Sequence, residues 1–256
     1  MGHVYHVFEG QLGAVPAPRL HSASMRTALV PLLTLAALLV APGHVRAEEP
    51  VAACHCFRDR SYDPDKPAAA DPYILATTRS STLAAVYGAE KATLVRIVMG
   101  GTPADDLWVA HWAGARLGKD PLSLLERRKT ARAWTEVIGA SDAKLLGGAF
   151  AEQLAGGASR EALAAVAVDA VVVDHLNAAP DLVRVTRAAG AGSAELILTL
   201  ILAPRLGLGP PDLLAAVKDG KSWGALLTEA GIAPADIDEV VKSVVQRARP
   251  QPWLLR

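Results

Sequence analysis

The residues of this chain that could do chemistry are few, and both of its cysteines fall in one tripeptide, Cys54-His55-Cys56. Thiolate and imidazole are soft ligands, so the cluster could supply part of a metal site, although a structural zinc site takes four ligands from at least two segments. In an oxidising compartment the two thiols would pair instead. A bridge across one residue closes a small, strained ring, which makes it easier to reduce. A c-type haem needs Cys-x-x-Cys-His, and here Val51 stands where the first cysteine would be. Three readings stay open: a partial metal site on Cys54, His55 and Cys56, a redox-active thiol pair, or a local Cys54–Cys56 disulfide that ties down the start of the mature chain.

Elsewhere the candidates are isolated. Asp174-His175 offers a ligand or a base, and His111 lies between Trp108 and Trp112, but a lone histidine on a helix more often packs than reacts. Trp134 and Trp223 could stack on a sugar or a peptide, or anchor a core. The chain has no Gly-x-Ser-x-Gly, His-Glu-x-x-His or Walker loop, and no Gly-x-Gly-x-x-Gly after a strand. No catalytic residue and no cofactor is implied.

The elements that must position these residues are organised by a repeat. Residues 101–137 and 190–226 match without a gap at a spacing of 89 positions. Arg116, Gly118, Pro121 and Trp134 of the first stretch correspond to Arg205, Gly207, Pro210 and Trp223 of the second, with Gly101/Gly190, Leu107/Leu196, Leu117/Leu206, Leu124/Leu213, Leu125/Leu214 and Lys129/Lys218 beside them. The glycines follow apolar runs ending in Arg-Leu, where a helix closes in a left-handed turn and a cation suits its dipole. The prolines sit where φ is already set and a missing N–H costs nothing, so each starts a new helix, with Asp120 as a cap in the first stretch. The pattern predicts a duplicated three-helix unit: helix, glycine turn, short helix, turn, tryptophan-anchored helix. Neither unit could bury its apolar face alone, and two copies are fewer than a solenoid needs, so a compact all-α domain is expected over residues 71–249.

Around the repeat, Asp71-Pro72 reads as the cap and first turn of a hydroxyl-rich helix to about Tyr87, with a strand as second choice. Residues 90–99 fit helix or strand equally well. Ser141 and Ser159 each precede an alanine-rich helix, the second with a stripe of Leu163, Val166, Ala170, Val173 and Leu176. Pro180 starts a short helix to Ala189, Leu196–Ala203 is apolar on nearly every side and should lie at the centre, and Pro234 opens the last helix.

The N-terminal part reads as an address. Met25-Arg26 opens an apolar run to Ala41, followed by Pro42-Gly43, Val45-Arg46-Ala47 and then Glu48-Glu49, the layout of a secretory signal peptide over residues 25–47 with cleavage after Ala47. Residues 1–24 lack any periodicity and read as an upstream misread of the start. A lipoprotein anchored at Cys54, preceded by Val51-Ala52-Ala53, is the alternative. Residues 48–70 then form an extended, cysteine-containing lead-in, and 250–256 a loose tail.

Cys54-His55-Cys56-Phe57, Arg60-Ser61-Tyr62-Asp63-Pro64 and Ala70-Asp71-Pro72-Tyr73 resemble a group of exported bacterial helical proteins to which no activity is assigned. That resemblance covers the first thirty mature residues best and implies export, not a reaction. Hydrophobic residues make up 51% of the chain and aromatics 5%, a composition suited to closely packed helices. Without residues 1–47, 23 basic residues face 25 acidic ones, which leaves no footprint for nucleic acid. The residues after Trp223 (Gly224, Ala225, Leu226, Leu227) would read no base either. The sequence thus predicts a non-enzymatic exported interaction or envelope-assembly module with a protein partner and no transmembrane span in the mature chain. The rival is a periplasmic redox or metal-binding protein using Cys54, His55 and Cys56.

Overall fold

The structure, a computed structural model, describes residues 63–66 and 68–248. The Cys54-His55-Cys56 cluster, the signal segment and the tail 250–256 lie outside the described residues. Where the sequence predicts an extended lead-in, residues 63–66 and 68–70 instead form turns: Lys66 N–H donates to the Asp63 carbonyl, Ala69 to Lys66 and Asp71 to Ala68.

Thirteen α-helices and one 3-10 turn follow, with no strand among the described residues. They are α1 (Asp71–Tyr87), α2 (Lys91–Met99), α3 (Ala104–Leu117), α4 (Pro121–Thr130), α5 (Trp134–Val137), α6 (Ala140–Leu146), α7 (Gly148–Ala155), α8 (Arg160–Leu176), α9 (Pro180–Ala188), α10 (Ser193–Leu206), α11 (Pro210–Lys218), α12 (Trp223–Glu229) and α13 (Ile237–Ala248). The domain is all-α, as the periodicity predicts, and residues 91–99, ambiguous in sequence, are helical.

Caps explain many of the boundaries. Asp120 accepts from the Leu122 and Ser123 N–H groups at the start of α4, and Ser159 from Ala162 at the start of α8. Gly118 and Gly207 close α3 and α10 at φ 63° and 64°, each in the left-handed region that favours glycine. After Gly207 the chain turns by 108° between α10 and α11. Asp71 is not the cap expected of it. Ala70 holds that position, and the Asp71 carboxylate instead accepts from the Gly224 N–H at 2.9 Å, joining α1 to the start of α12.

Helix boundaries recur at the 89-residue spacing well beyond the stretch that is similar in sequence. Shifted by 89, α1, α2 and α3 coincide with α8, α9 and α10 at both ends, and α4, α5 and α7 begin where α11, α12 and α13 begin. The packing recurs with them: α1 crosses α10 as α8 crosses α3, and α1 lies on α13 as α8 lies on α7.

One continuous core runs through these crossings and includes Trp108, Phe150, Leu163, Ile197, Trp223 and Ile237, all at most 2% exposed. Leu196–Thr199 and Ile201–Ala203 of α10 are buried, as expected for the central helix. The stripe on α8 is displaced from its expected place. Leu163 is buried, but the rest of the buried face is Ala164, Ala167, Val168, Val171 and Val172, while Val166, Ala170, Val173 and Leu176 are half-buried. No single helix among the described residues is long and apolar enough to cross a membrane.

Candidate functional site

The buried charges of the domain are committed to joining helices. Asp106 on α3, 3% exposed, accepts from Trp134 Nε1 at 2.8 Å and pairs with Arg128 at 3.6 Å and Arg160 at 3.5 Å, tying α3 to α4, α5 and α8. Trp134 is thereby a core anchor at 3% exposure, and Trp223 is another at 2%. Arg116 lies 4.0 Å over the Trp112 ring and 3.5 Å from Asp174, and Trp112 stacks on Phe150 at 4.4 Å. Asp174 is therefore an ion-pair partner, while Arg205, the counterpart of Arg116, is exposed. Pro121 is half-buried at the start of α4, and Pro210 is buried at the start of α11.

Among the described sequence candidates, the fold brings His111 and Pro121 to a concave surface. They line a cleft of about 370 Å³ between the end of α1, α2, α3 and the start of α4. The polar groups of this cleft are Tyr87, Glu90, Thr93, His111, Lys119 and Asp120, over walls that include Leu94, Ala115 and Leu122. Each is placed by local structure: Tyr87 ends α1 just before the left-handed Gly88, Glu90 precedes α2, and Lys119-Asp120 form the turn after Gly118.

The electrostatics follow from the neighbours. Nδ1 of His111 lies 2.8 Å from the Leu107 carbonyl, which can only accept, so Nδ1 carries the proton. Burial pushes the His111 pKa down, against the Leu107 hydrogen bond and Asp120. With the Nδ1 proton given to the Leu107 carbonyl, Nε2 of the neutral form is an acceptor. Burial likewise raises the Tyr87 phenol, with Arg116 opposing and Asp174 adding to the effect, and the Tyr87 and His111 rings lie 5.7 Å apart. The Ser123 hydroxyl and backbone N–H hold the exposed Asp120 carboxyl below the usual carboxylate range. Lys119 is committed to Asp142 on α6.

Among the described residues no group of three metal-ligating side chains comes together, and the cleft presents acceptors at its mouth. Tyr87 and Asp120 escaped the sequence reading as site residues. Asp120 was legible only as a cap, and Tyr87 joins His111 by folding across 24 residues.

The fold and the cleft define the class: an all-helical domain with a polar-lined cleft among its described residues. The chain matches no family model, no curated protein and no solved structure.

Proposed function

We propose that the protein is a non-enzymatic, exported helical binding module, of the interaction or envelope-assembly kind, made of two copies of one unit about 89 residues long. Three kinds of observation support this: the recurring helix boundaries, the use of buried charge for joining helices, and the signal-like segment Met25–Ala47. The observation that carries the binding role is the difference between the matched positions. Where the first half has Tyr87, Thr93, His111 and Lys119, the second has Leu176, Leu182, Leu200 and Leu208. The shared helix packing is served by leucine at these positions in the second half, so the polar groups that surround the cleft in the first are not required by the packing itself.

Native mass spectrometry of the protein recovered from the envelope under non-denaturing conditions tests this reading. A partner or small molecule retained by the wild type and lost in His111→Leu supports it. A bound metal ion or a mixed disulfide on Cys54 or Cys56 would replace it with the redox or metal-binding reading. Turnover abolished by Cys54→Ser or Cys56→Ser would overturn it.

A further inference from the structure

The cleft beside His111 carries more than the statement that something binds there. Its volume of about 370 Å³ lies at the small end of sites for organic ligands, about 300–1,000 Å³. That size suits a compact molecule rather than a polypeptide segment. Leu94, Ala115 and Leu122 offer such a molecule an apolar bed.

The polar groups sort by what they can accept or donate. His111 has its one proton engaged with the Leu107 carbonyl and presents Nε2 as a bare acceptor. Glu90 and Asp120 are both acceptors: Glu90 takes the Thr93 hydroxyl at 2.6 Å, Asp120 takes the Leu122 and Ser123 N–H groups and the Ser123 hydroxyl, and each carboxylate keeps further lone pairs. The only cation lining the cleft, Lys119, already pairs with Asp142, and Arg96 stands 3.8 Å from Glu90, outside the lining. In the second half the matched positions of Glu90 and Asp120 are Ala179 and Gly209, so the carboxylates too belong to the first half alone. Acceptors and negative charge over an apolar bed complement a ligand that donates hydrogen bonds, carries positive charge and has a small hydrocarbon body.

We infer that the Tyr87–His111–Asp120 cleft is a binding site for a small organic cation, an ammonium group on a compact apolar body. The ammonium hydrogen-bonds to His111 Nε2, the Asp120 carboxylate neutralises it at the mouth, and the Tyr87 ring and Leu94 cover the body. This rests on the reading of the cleft as the place where the module takes its ligand.

Three probes of one shape separate the two ideas: benzylamine, benzyl alcohol and benzoate, titrated into the full mature chain at neutral pH and followed by amide and side-chain NMR shifts. Benzylamine should bind saturably, shift the His111 and Tyr87 signals, and outbind both other probes. His111→Leu, which installs the residue of the second half, should weaken it about tenfold, the loss of one hydrogen bond to a charged group. Asp120→Asn keeps a capping oxygen but removes the charge, and should weaken benzylamine several-fold while leaving benzyl alcohol unchanged. Benzyl alcohol or benzoate binding at these residues as tightly as benzylamine would overturn the cationic class and leave the cleft a binding site. No saturable shift of the cleft signals by any of the three would overturn both. Benzylamine binding unaltered by both substitutions would place it elsewhere and overturn the inference.

Discussion

Trp134 shows how one residue links sequence pattern to packing. Its indole is buried and its Nε1 donates to Asp106, which also neutralises Arg128 and Arg160. Trp134→Ala should cost about 3–5 kcal/mol, the range for truncating a buried aromatic, and Trp223→Ala should cost as much. Trp134→Phe keeps most of the volume and loses the donor, so about 1–2 kcal/mol is expected; urea unfolding of the three variants measures both contributions. That the tryptophans anchor a core was legible from their matched places in the repeat. Asp106 was not, because its partners lie 22 to 54 residues away in the chain and no local pattern marks a buried carboxylate. His111 supplies a second prediction. Burial lowers its proton affinity in the fold, so the unfolded chain takes up the proton first as the pH falls. The stability associated with the neutral ring is present above the ordinary histidine value, about 6.5, and declines below it. Thermal midpoints taken from pH 7 to pH 5 should therefore fall more steeply in the wild type than in His111→Leu; equal slopes would mean that the ring titrates freely in the fold.

Among the elements, the turns that end α3 and α10 give the sharpest comparison between the halves. Gly118 and Gly207 share one left-handed conformation, and a Cβ on either would meet no other atom within 4 Å. The cost of alanine there is therefore that of the backbone conformation alone, about 1–2 kcal/mol, and it should be the same at both sites. Gly114 behaves differently. A Cβ there would stand 2.7 Å from the Lys119 carbonyl oxygen, whereas the matched residue of α10 is already Ala203. Gly114→Ala must move the Lys119 turn at the rim of the cleft, and about 1–3 kcal/mol is expected, read as the shift of the denaturation midpoint. Glycine and proline punctuation made these elements legible in advance, since it acts through φ and the absent N–H, which are local. What local pattern could not settle was burial set by distant partners. On α8 the true buried face is turned from the leucine and valine stripe towards Ala164, Ala167 and Val168, because small residues let α3 and α10 approach closely. The alanine-rich run after Ser141 is two helices, since Gly147 and Gly148 both take positive φ and break it between α6 and α7. The recurrence of α1 and α2 as α8 and α9 escaped a comparison of residue types because the helix ends are kept while the side chains differ: Gly88 and Asn177 close α1 and α8 alike, at φ 67° and 54°.

At the scale of the whole molecule, the halves are interlocked rather than placed side by side. α1 packs against α10, α12 and α13, all from the second half, and α8 packs against α3 and α7 of the first. Polar joins cross the same boundary: Asp71 reaches the Gly224 N–H, and Asp238 on α13 accepts from the Ser81 hydroxyl of α1 at 2.5 Å and pairs with Lys91 of α2 at 3.0 Å. Neither half keeps its apolar faces covered without the other, so the described domain should unfold in one transition, with calorimetric and van't Hoff enthalpies in agreement. Two separate transitions would mean that each half closes its own core. The Asp238 join makes the same point through pH. Burial acts to raise this carboxyl, but hydrogen bonds from Ser81, Lys91 and Lys242 outweigh it and hold the pKa down to about 2. A carboxyl lowered in the fold stabilises it fully above the unfolded value, about 4, and that contribution is lost as the pH falls through about 2. The group is partly solvated, so its contribution is about 1 kcal/mol after screening. Asp238→Asn should lower stability by about that amount at pH 7, and the deficit should shrink as the pH falls below about 4 and vanish only below about 2. Because the join spans the halves, the loss should lower the single transition as a whole; a variant that melts α13 early and leaves the rest at the wild-type temperature would show that the last helix is an appendage and not part of the interlock.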